Sequence, residues 1–281
     1  MKTIRDIRVE ALTLLSSVTI DTPELVVDIL LSFVLNYPSI HEMRFDLSLP
    51  FPKEYIDDFF SLVYRAQRGE PIAYIIGKKY FLDFVFLTSS ATLIPRPETE
   101  ELVELVLRDI DSQPTTILDI GTGSGCIACS LALYRPSSRI YAVDISLEAL
   151  QIAYMNACTY NITSIHFLQA DLYMLPFQPN TFTHIVSNPP YLSQEEHRHL
   201  DISVKDFEPY QALVAGETGL EAIKGVLDTS YTLLQNDGFL YLEIGHLQRQ
   251  EIESYITNMG WKYCVCKEDL SHKERFLILK K

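Results

Sequence analysis

The chain has 281 residues, 47% hydrophobic and 21% charged, which are ordinary globular values and enough length for two domains. Its formal charge of −14 weighs against a grip on nucleic acid, which needs a basic face to neutralise phosphates. Five cysteines, an odd number, make no disulfide framework and point to a reducing, cytoplasmic compartment. Charges at Lys2, Arg5, Asp6 and Arg8 precede any apolar stretch, against a secretory signal. The apolar run over 25–35 contains Asp28 and falls short of the ~20 residues that a membrane span needs.

From Ile4 to about Arg68 the apolar residues recur at three and four, as in Leu25, Val26, Ile29, Leu30 and Phe33, which predicts a small helical domain over 1–75. The Arg and Lys residues between Arg65 and Lys79 form either a local basic patch or plain solvated surface. At Tyr80 the period changes to that of a strand or hairpin, predicting a linker over 76–95. A helix start follows at Pro95-Arg96-Pro97-Glu98, with proline in the first turn and carboxylates where the helix dipole favours them. Beyond Gln113, strands at 116–120, 139–144, 165–169, 184–187 and 238–244 alternate with helices at 125–133, 147–159 and 217–234. A helix from Gln248 and strands near 261–267 and 275–279 close the chain. This predicts an α/β domain over 96–281, a mostly parallel sheet with helices on both faces, whose ligands bind at the carboxyl ends of the strands.

Four strand ends carry candidate chemistry. The first runs into Gly121-Thr122-Gly123-Ser124-Gly125, where glycines let backbone approach a ligand and a helix N-terminus offers free N–H groups. The spacing departs from the dinucleotide fingerprint, because Cys126 stands where a further glycine is expected, and this argues against a nicotinamide oxidoreductase. The second strand ends at Asp144, which can accept two ribose hydroxyls or cap the next helix. The third ends at Asp171-Leu172, suited to an adenine amino group and ring face, or to a simple turn. The fourth ends in Asn188-Pro189-Pro190-Tyr191. The prolines lack N–H groups and fix φ, so the carbonyls of Asn188 and Pro189 stand out rigidly. The Asn188 side-chain oxygen and the Pro189 carbonyl can together take both hydrogens of a planar –NH₂ group, with Tyr191 against its face.

Glycine loop, Asp144 and Asn-Pro-Pro-Tyr, in this order, resemble the class I methyltransferases acting on amino groups conjugated to a π system. Residues 69–77, 93–100, Glu208-Pro209 with Ala212-Leu213, and Glu243-Ile244-Gly245 with Gln248 resemble the peptide chain release factor glutamine methyltransferases of the PrmC/HemK type. That likeness spans nearly the whole chain. It implies a Rossmann-like domain with a seven-stranded, mostly parallel sheet, an N-terminal helical domain that recognises the substrate protein, and a linking β-hairpin. It further implies S-adenosyl-L-methionine as cofactor, S-adenosyl-L-homocysteine as product, and as substrate the Gly-Gly-Gln glutamine of class 1 release factors. The cofactor set is then Gly121 to Gly125, Asp144, Asp171, Leu172 and Asn188, and the substrate set is Asn188, Pro189, Pro190 and Tyr191. Asn188, Pro189 and Tyr191 are its catalytic members. Leu172 departs from the aromatic residue common in relatives, which leaves apolar contact where stacking is expected.

An amide nitrogen is a poor nucleophile, so the expected catalysis is positional, with Asn188 and Pro189 orienting the nitrogen for in-line displacement. The rival within this chemistry is an adenine or guanine amino-group methyltransferase, and outside it a non-catalytic adenosyl-binding module. The net charge counts against the first, and Asn188 and Tyr191 against the second. Cys126 and Cys129 have CxxC spacing but sit in a small-residue helix and read as buried hydrophobes. Cys264 and Cys266 alternate as on one strand face. His197 and His199 lack further ligands, so no metal site is expected.

Overall fold

In the computed structural model, which describes residues 2–16, 18, 21–110 and 115–281, the chain divides into two compact units. The first comprises Met1–Gly77 together with Ile202–Phe207, and the second comprises Lys78–Asp201 and Glu208–Lys281.

The first unit is built from α1 (Ile4–Leu15), α2 (Pro23–Val34), α3 (Ile40–Phe45), α4 (Ile56–Gln67) and α5 (Ile72–Ile76). Thr3 starts α1 by accepting a hydrogen bond from the Asp6 N–H, while the Asp6 carboxylate accepts from the Thr3 N–H at 2.8 Å. These two bonds satisfy amides that the first turn leaves unpaired. Apolar residues at helical spacing, among them Ile7, Ala11, Leu15, Val27, Leu30, Leu31, Phe59 and Val63, meet in one core. Asp28, which interrupts the apolar run of α2, is fully buried and accepts from Arg8 Nε at 2.6 Å and from Arg44 Nε at 2.8 Å. In the segment read as a possible basic patch, Arg65 is paired with Glu70 at 2.8 Å.

The second unit opens with the hairpin β1 (Lys78–Phe81) and β2 (Phe84–Leu87), followed by α6 (Pro97–Asp109). Strands and helices then alternate: β3 (Thr116–Ile120), α7 (Cys126–Tyr134), β4 (Arg139–Asp144), α8 (Leu147–Thr159), β5 (Ile165–Gln169) and β6 (Phe182–Ser187). Gln113, beyond which the sequence predicts this alternation, lies outside the described residues. Short elements follow, β7 (Leu192–Ser193), α9 (Gln194–Arg198), α10 (Ile202–Lys205), which belongs to the first unit, α11 (Tyr210–Leu213) and β8 (Val214–Gly216). The chain closes with α12 (Glu221–Leu233), β9 (Leu234–Glu243), α13 (Arg249–Ile256), β10 (Tyr263–Glu268) and β11 (Glu274–Lys280).

Seven strands form one sheet in the order β10-β11-β9-β6-β3-β4-β5. The pairs among β5, β4, β3, β6 and β9 are parallel, and β11 enters antiparallel between β9 and β10. The fold class read from the sequence, an α/β unit with a seven-stranded, mostly parallel sheet beside N-terminal helices, is the observed one. The strand order reverses between β3 and β6, so a crevice opens beyond their carboxyl ends. One apolar cluster, including Leu102, Val106, Ile117, Leu131 and Ile140, covers one face of the sheet, and another, including Leu118, Ile185, Ile223, Leu240 and Ile252, covers the other.

The hairpin packs within the second unit, against α8. Val85 exchanges two hydrogen bonds with the Tyr160 hydroxyl, its N–H donating at 2.7 Å and its carbonyl accepting at 2.8 Å. The fully buried Asn156 accepts from the Leu87 N–H at 2.7 Å and donates both to the Leu87 carbonyl at 3.1 Å and to the Ser124 carbonyl at 2.8 Å. One side chain therefore ties the hairpin to the glycine loop. Replacing it by alanine removes the partner of the buried Ser124 carbonyl and of two part-buried Leu87 backbone groups, and we expect Asn156→Ala to cost about 3 kcal/mol in denaturant unfolding.

Candidate active site

The crevice is a cleft of about 310 Å³ at the carboxyl ends of the strands. It is lined by Gly121, Thr122, Gly123 and Ser124 after β3, by Asp144 after β4, by Asp171 and Leu172 after β5, and by Asn188, Pro189 and Pro190 after β6. Four segments far apart in the sequence thus converge on one place. Two predicted residues sit just behind it. Gly125 packs against α8, and the Tyr191 ring packs against the second apolar cluster, with the Arg275 guanidinium 5.9 Å from its centroid.

The glycine loop takes a backbone path that side chains resist. Gly121, Gly123 and Gly125 have φ of +73°, +54° and +77°. A Cβ on Gly125 would stand 2.9 Å from the Ala153 Cβ, so this glycine also permits the close approach of loop and α8. At Gly121 and Gly123 a Cβ would meet nothing within 4 Å, because these residues face open space. Both Gly121 and Thr122 donate their N–H groups to the Val143 carbonyl, at 2.9 and 3.0 Å.

Asp144 holds the loop from the next strand. It accepts from the Gly123 N–H at 2.8 Å and from the Ser146 N–H at 2.9 Å, and burial raises its pKa above the ordinary carboxylate value. The capping of α8 falls instead to Ser146, whose hydroxyl accepts from the Ala149 N–H at 3.1 Å. Behind the loop, Asp119 accepts from the Thr122 hydroxyl at 2.7 Å, and full burial pushes its pKa up to about 7. Asp171 accepts from the Tyr173 N–H at 3.0 Å, as a turn residue does, while also lining the cleft.

At the tip of β6, the Asn188 side chain is held from behind. Its Nδ2 donates to the Thr99 hydroxyl at 2.9 Å, and that hydroxyl donates to Glu243 at 2.8 Å. Thr99 and Glu243 are buried, and burial pushes Glu243 up to about 7. The Tyr191 carbonyl accepts from Gln248 Nε2 at 2.8 Å, and the same amide accepts the Gly245 N–H at 2.8 Å. Burial pushes the Tyr191 phenol up to about 12. On the neighbouring wall, the buried Glu208 accepts from Arg96 at 2.5 Å and from the Ile94 N–H at 3.2 Å.

Sequence reasoning missed Thr99, Glu243, Gln248, Arg96 and Glu208 as parts of this site, although all lie in the segments that carry the family resemblance. Asn156 had no such signal. His197 stacks edge-on against Tyr210, and His199 Nδ1 lies 3.0 Å from the Glu195 carbonyl oxygen. Among the described residues, no cluster of His, Cys, Asp or Glu could hold a metal ion. Cys126 and Cys129 are buried free thiols, and burial pushes Cys126 up to about 12.

Residues 6–77 match the PrmC N-terminal domain and residues 98–206 the methyltransferase small domain. The chain is 34% identical, over 275 residues, to a release factor glutamine methyltransferase of Nitratidesulfovibrio vulgaris, covering 95% of this chain and 91% of that protein. It is 38% identical over 218 residues to the enzyme of that name from Escherichia coli, covering 78% of each. A solved methyltransferase from Pyrococcus furiosus shares the fold, with a TM-score of 0.51 and 16% identity over 70% of this chain and 88% of that one. With its helical and methyltransferase domains both matched and a relative aligned along nearly its full length, the chain belongs to the release factor glutamine methyltransferase family.

Proposed function

We propose that this methyltransferase transfers a methyl group from S-adenosyl-L-methionine to the side-chain amide nitrogen of the Gly-Gly-Gln glutamine in class 1 peptide chain release factors. The observation that carries the reading is the Asn188-Pro189-Pro190 turn on the cleft wall, beside the glycine loop and within a chain whose relatives are named for this reaction. The PrmC-type N-terminal domain supports a protein rather than a nucleic acid as substrate and, in this reading, recognises the release factor. Among the described residues no helix is long and apolar enough to cross a membrane. The proposed substrate acts in translation, so in this reading the reaction is cytoplasmic.

The cleft residues fit an adenosyl cofactor. Gly121 and Gly123 leave open space against the loop backbone, Asp144 presents a carboxylate at the strand tip, and Leu172 offers an apolar contact. Bound S-adenosyl-L-methionine would supply an electrophilic methyl group and leave as S-adenosyl-L-homocysteine. In the proposed arrangement Gly121 to Gly125 and Asp144 hold the cofactor, with Asp171, Leu172 and Asn188 completing its site. The Asn188 side-chain oxygen and Pro189 carbonyl accept the two N–H groups of the glutamine amide, while Pro190 fixes the turn and Tyr191 buttresses it. Two acceptors hold the nitrogen at the reacting distance and stabilise the positive charge that grows on it.

Three outcomes are expected. Label from methyl-labelled S-adenosylmethionine enters a purified class 1 release factor and not a variant whose Gly-Gly-Gln glutamine is alanine, whereas label entering nucleic acid instead would reverse the assignment of substrate. Asn188→Ala lowers turnover by about 100- to 1,000-fold while calorimetric cofactor affinity largely survives. Asp144→Asn does the reverse, weakening cofactor binding by about tenfold or more through loss of a charged acceptor.

A further inference from the structure

The two ends of an asparagine amide have almost the same shape and opposite chemistry. One end donates two hydrogen bonds, and the other accepts. A substrate –NH₂ group needs the accepting end. If Asn188 turned its own –NH₂ toward the cleft, donors would face donors. Something must therefore hold the group one way round.

We infer that Thr99 and Glu243 are positioning residues for methyl transfer, because the hydrogen-bond chain from Asn188 through Thr99 to Glu243 dictates which end of the Asn188 amide is left for the substrate. The inference rests on the proposed acceptor being a primary amide. Thr99 stands in the first turn of α6, where Pro97 begins the helix and the Thr99 N–H donates to the Arg96 carbonyl at 3.1 Å. Its hydroxyl has one hydrogen, which goes to Glu243 at 2.8 Å, so toward Asn188 it offers lone pairs alone. Those lone pairs select Nδ2 of Asn188, at 2.9 Å, and leave Oδ1 as the free end of a residue that lines the cleft. A flipped amide would set an oxygen against an oxygen inside a buried pocket, where an unpaired polar group is costly.

Glu243 ends β9 and is fully buried, with Glu98, Arg96 and Arg275 as its charged neighbours. Ionised or neutral, it presents an acceptor oxygen to Thr99. Hydrogen bonds in series also polarise one another, so the chain raises the negative charge on Asn188 Oδ1, the atom proposed to face the developing cation. Neither Thr99 nor Glu243 is required to touch the substrate for this.

The test separates orientation from plain structural support. Thr99→Val keeps the shape and removes the hydroxyl, and Thr99→Ser keeps the hydroxyl. We expect Thr99→Val to lower kcat on release factor by roughly 10- to 100-fold, with KM and the Kd for S-adenosylmethionine changed by less than about twofold. Thr99→Ser should return kcat to within about threefold of the wild type. Equal activity of the valine and serine variants, or a loss carried by KM alone, would overturn the inference. Should Thr99→Val fail to fold, the wild-type protein decides by amide NMR. The Asn188 side-chain –NH₂, identified by its disappearance in Asn188→Ala, should show a downfield, exchange-protected proton, and an unprotected signal counts against the chain. This readout stands even if the wild type methylates nucleic acid and not release factor, so failure of the substrate assignment and failure of the positioning chain remain distinguishable.

Discussion

Backbone polar groups at the ends of parallel strands have no neighbouring strand to complete their pairing, and the site is organised by how this chain satisfies them. The Ile120 carbonyl at the end of β3 accepts from the Ser187 hydroxyl of β6 at 2.8 Å, which locks the two strand tips side by side. The Val143 carbonyl takes two loop N–H groups, Asp144 takes a third, and Asn156 reaches the Ser124 carbonyl from α8. On the β6 side the problem is met by omission, since Pro189 and Pro190 have no N–H to satisfy, and Gln248 takes the Tyr191 carbonyl. The loops around the cleft are thereby rigid without being paired into the sheet. Lining residues such as Gly121 and Gly123 still face open space.

A chain with a net charge of −14 must also decide where its carboxylates go, and it treats the buried ones in two ways. Asp28, Glu208 and Asp269 each accept from arginine, the arrangement that burial of a charge requires. Asp119 and Glu243 are instead bonded to threonine hydroxyls, and burial pushes both up to about 7. These two lie behind the glycine loop and behind Asn188 respectively. Stability alone gives no reason to leave a buried carboxylate without a directly bonded cation, and raised pKa values of this kind cluster where a site needs polarisable groups held in place.

What could be read in the sequence was what repeats at short range. Strands β3, β4 and β5 and helix α8 fall on their predicted residues because period and flanking caps agree over five residues or more. The join between α12 and β9 falls elsewhere than the sequence predicts. The predicted strand began at Gly238, but β9 runs from Leu234 through Asp237 at φ +67°, and its register against β6 shifts between Phe182 and His184. A turn signal inside a bulged strand is indistinguishable, in sequence, from a turn that precedes one. Residues 192–216 hold elements of five residues or fewer, too short to show a period. The site divides in the same way. Its glycine loop, Asp144 and Asn188 to Tyr191 are contiguous motifs with their own chemistry, whereas Thr99 meets Glu243 across 144 positions and Arg96 meets Glu208 across 112. No local pattern encodes such a pairing, and only the family resemblance marked both ends.

The prolines after Asn188 and the lack of a strong base in the motif have one chemical cause. An amide nitrogen keeps its lone pair in conjugation with its carbonyl, so a base that removed a proton first would need unusual strength. Of the four motif residues only Tyr191 ionises, and with its phenol pushed up to about 12 it stays protonated near neutrality. Glu243 is buried behind Thr99. Methyl transfer must then precede proton loss, and the task left to the protein is to favour a nitrogen that is becoming positive. Acceptors do this and donors oppose it. A backbone N–H at position 189 or 190 would place a donor among the acceptors, and proline is the residue that removes it while holding the preceding carbonyl in place. With the Asn188 amide also fixed by Thr99, the turn after β6, in its proposed role, would present acceptors alone to an incoming –NH₂. In that proposed role the turn would act by alignment and charge stabilisation, and the proton would leave afterward from a nitrogen that no longer needs help to lose it.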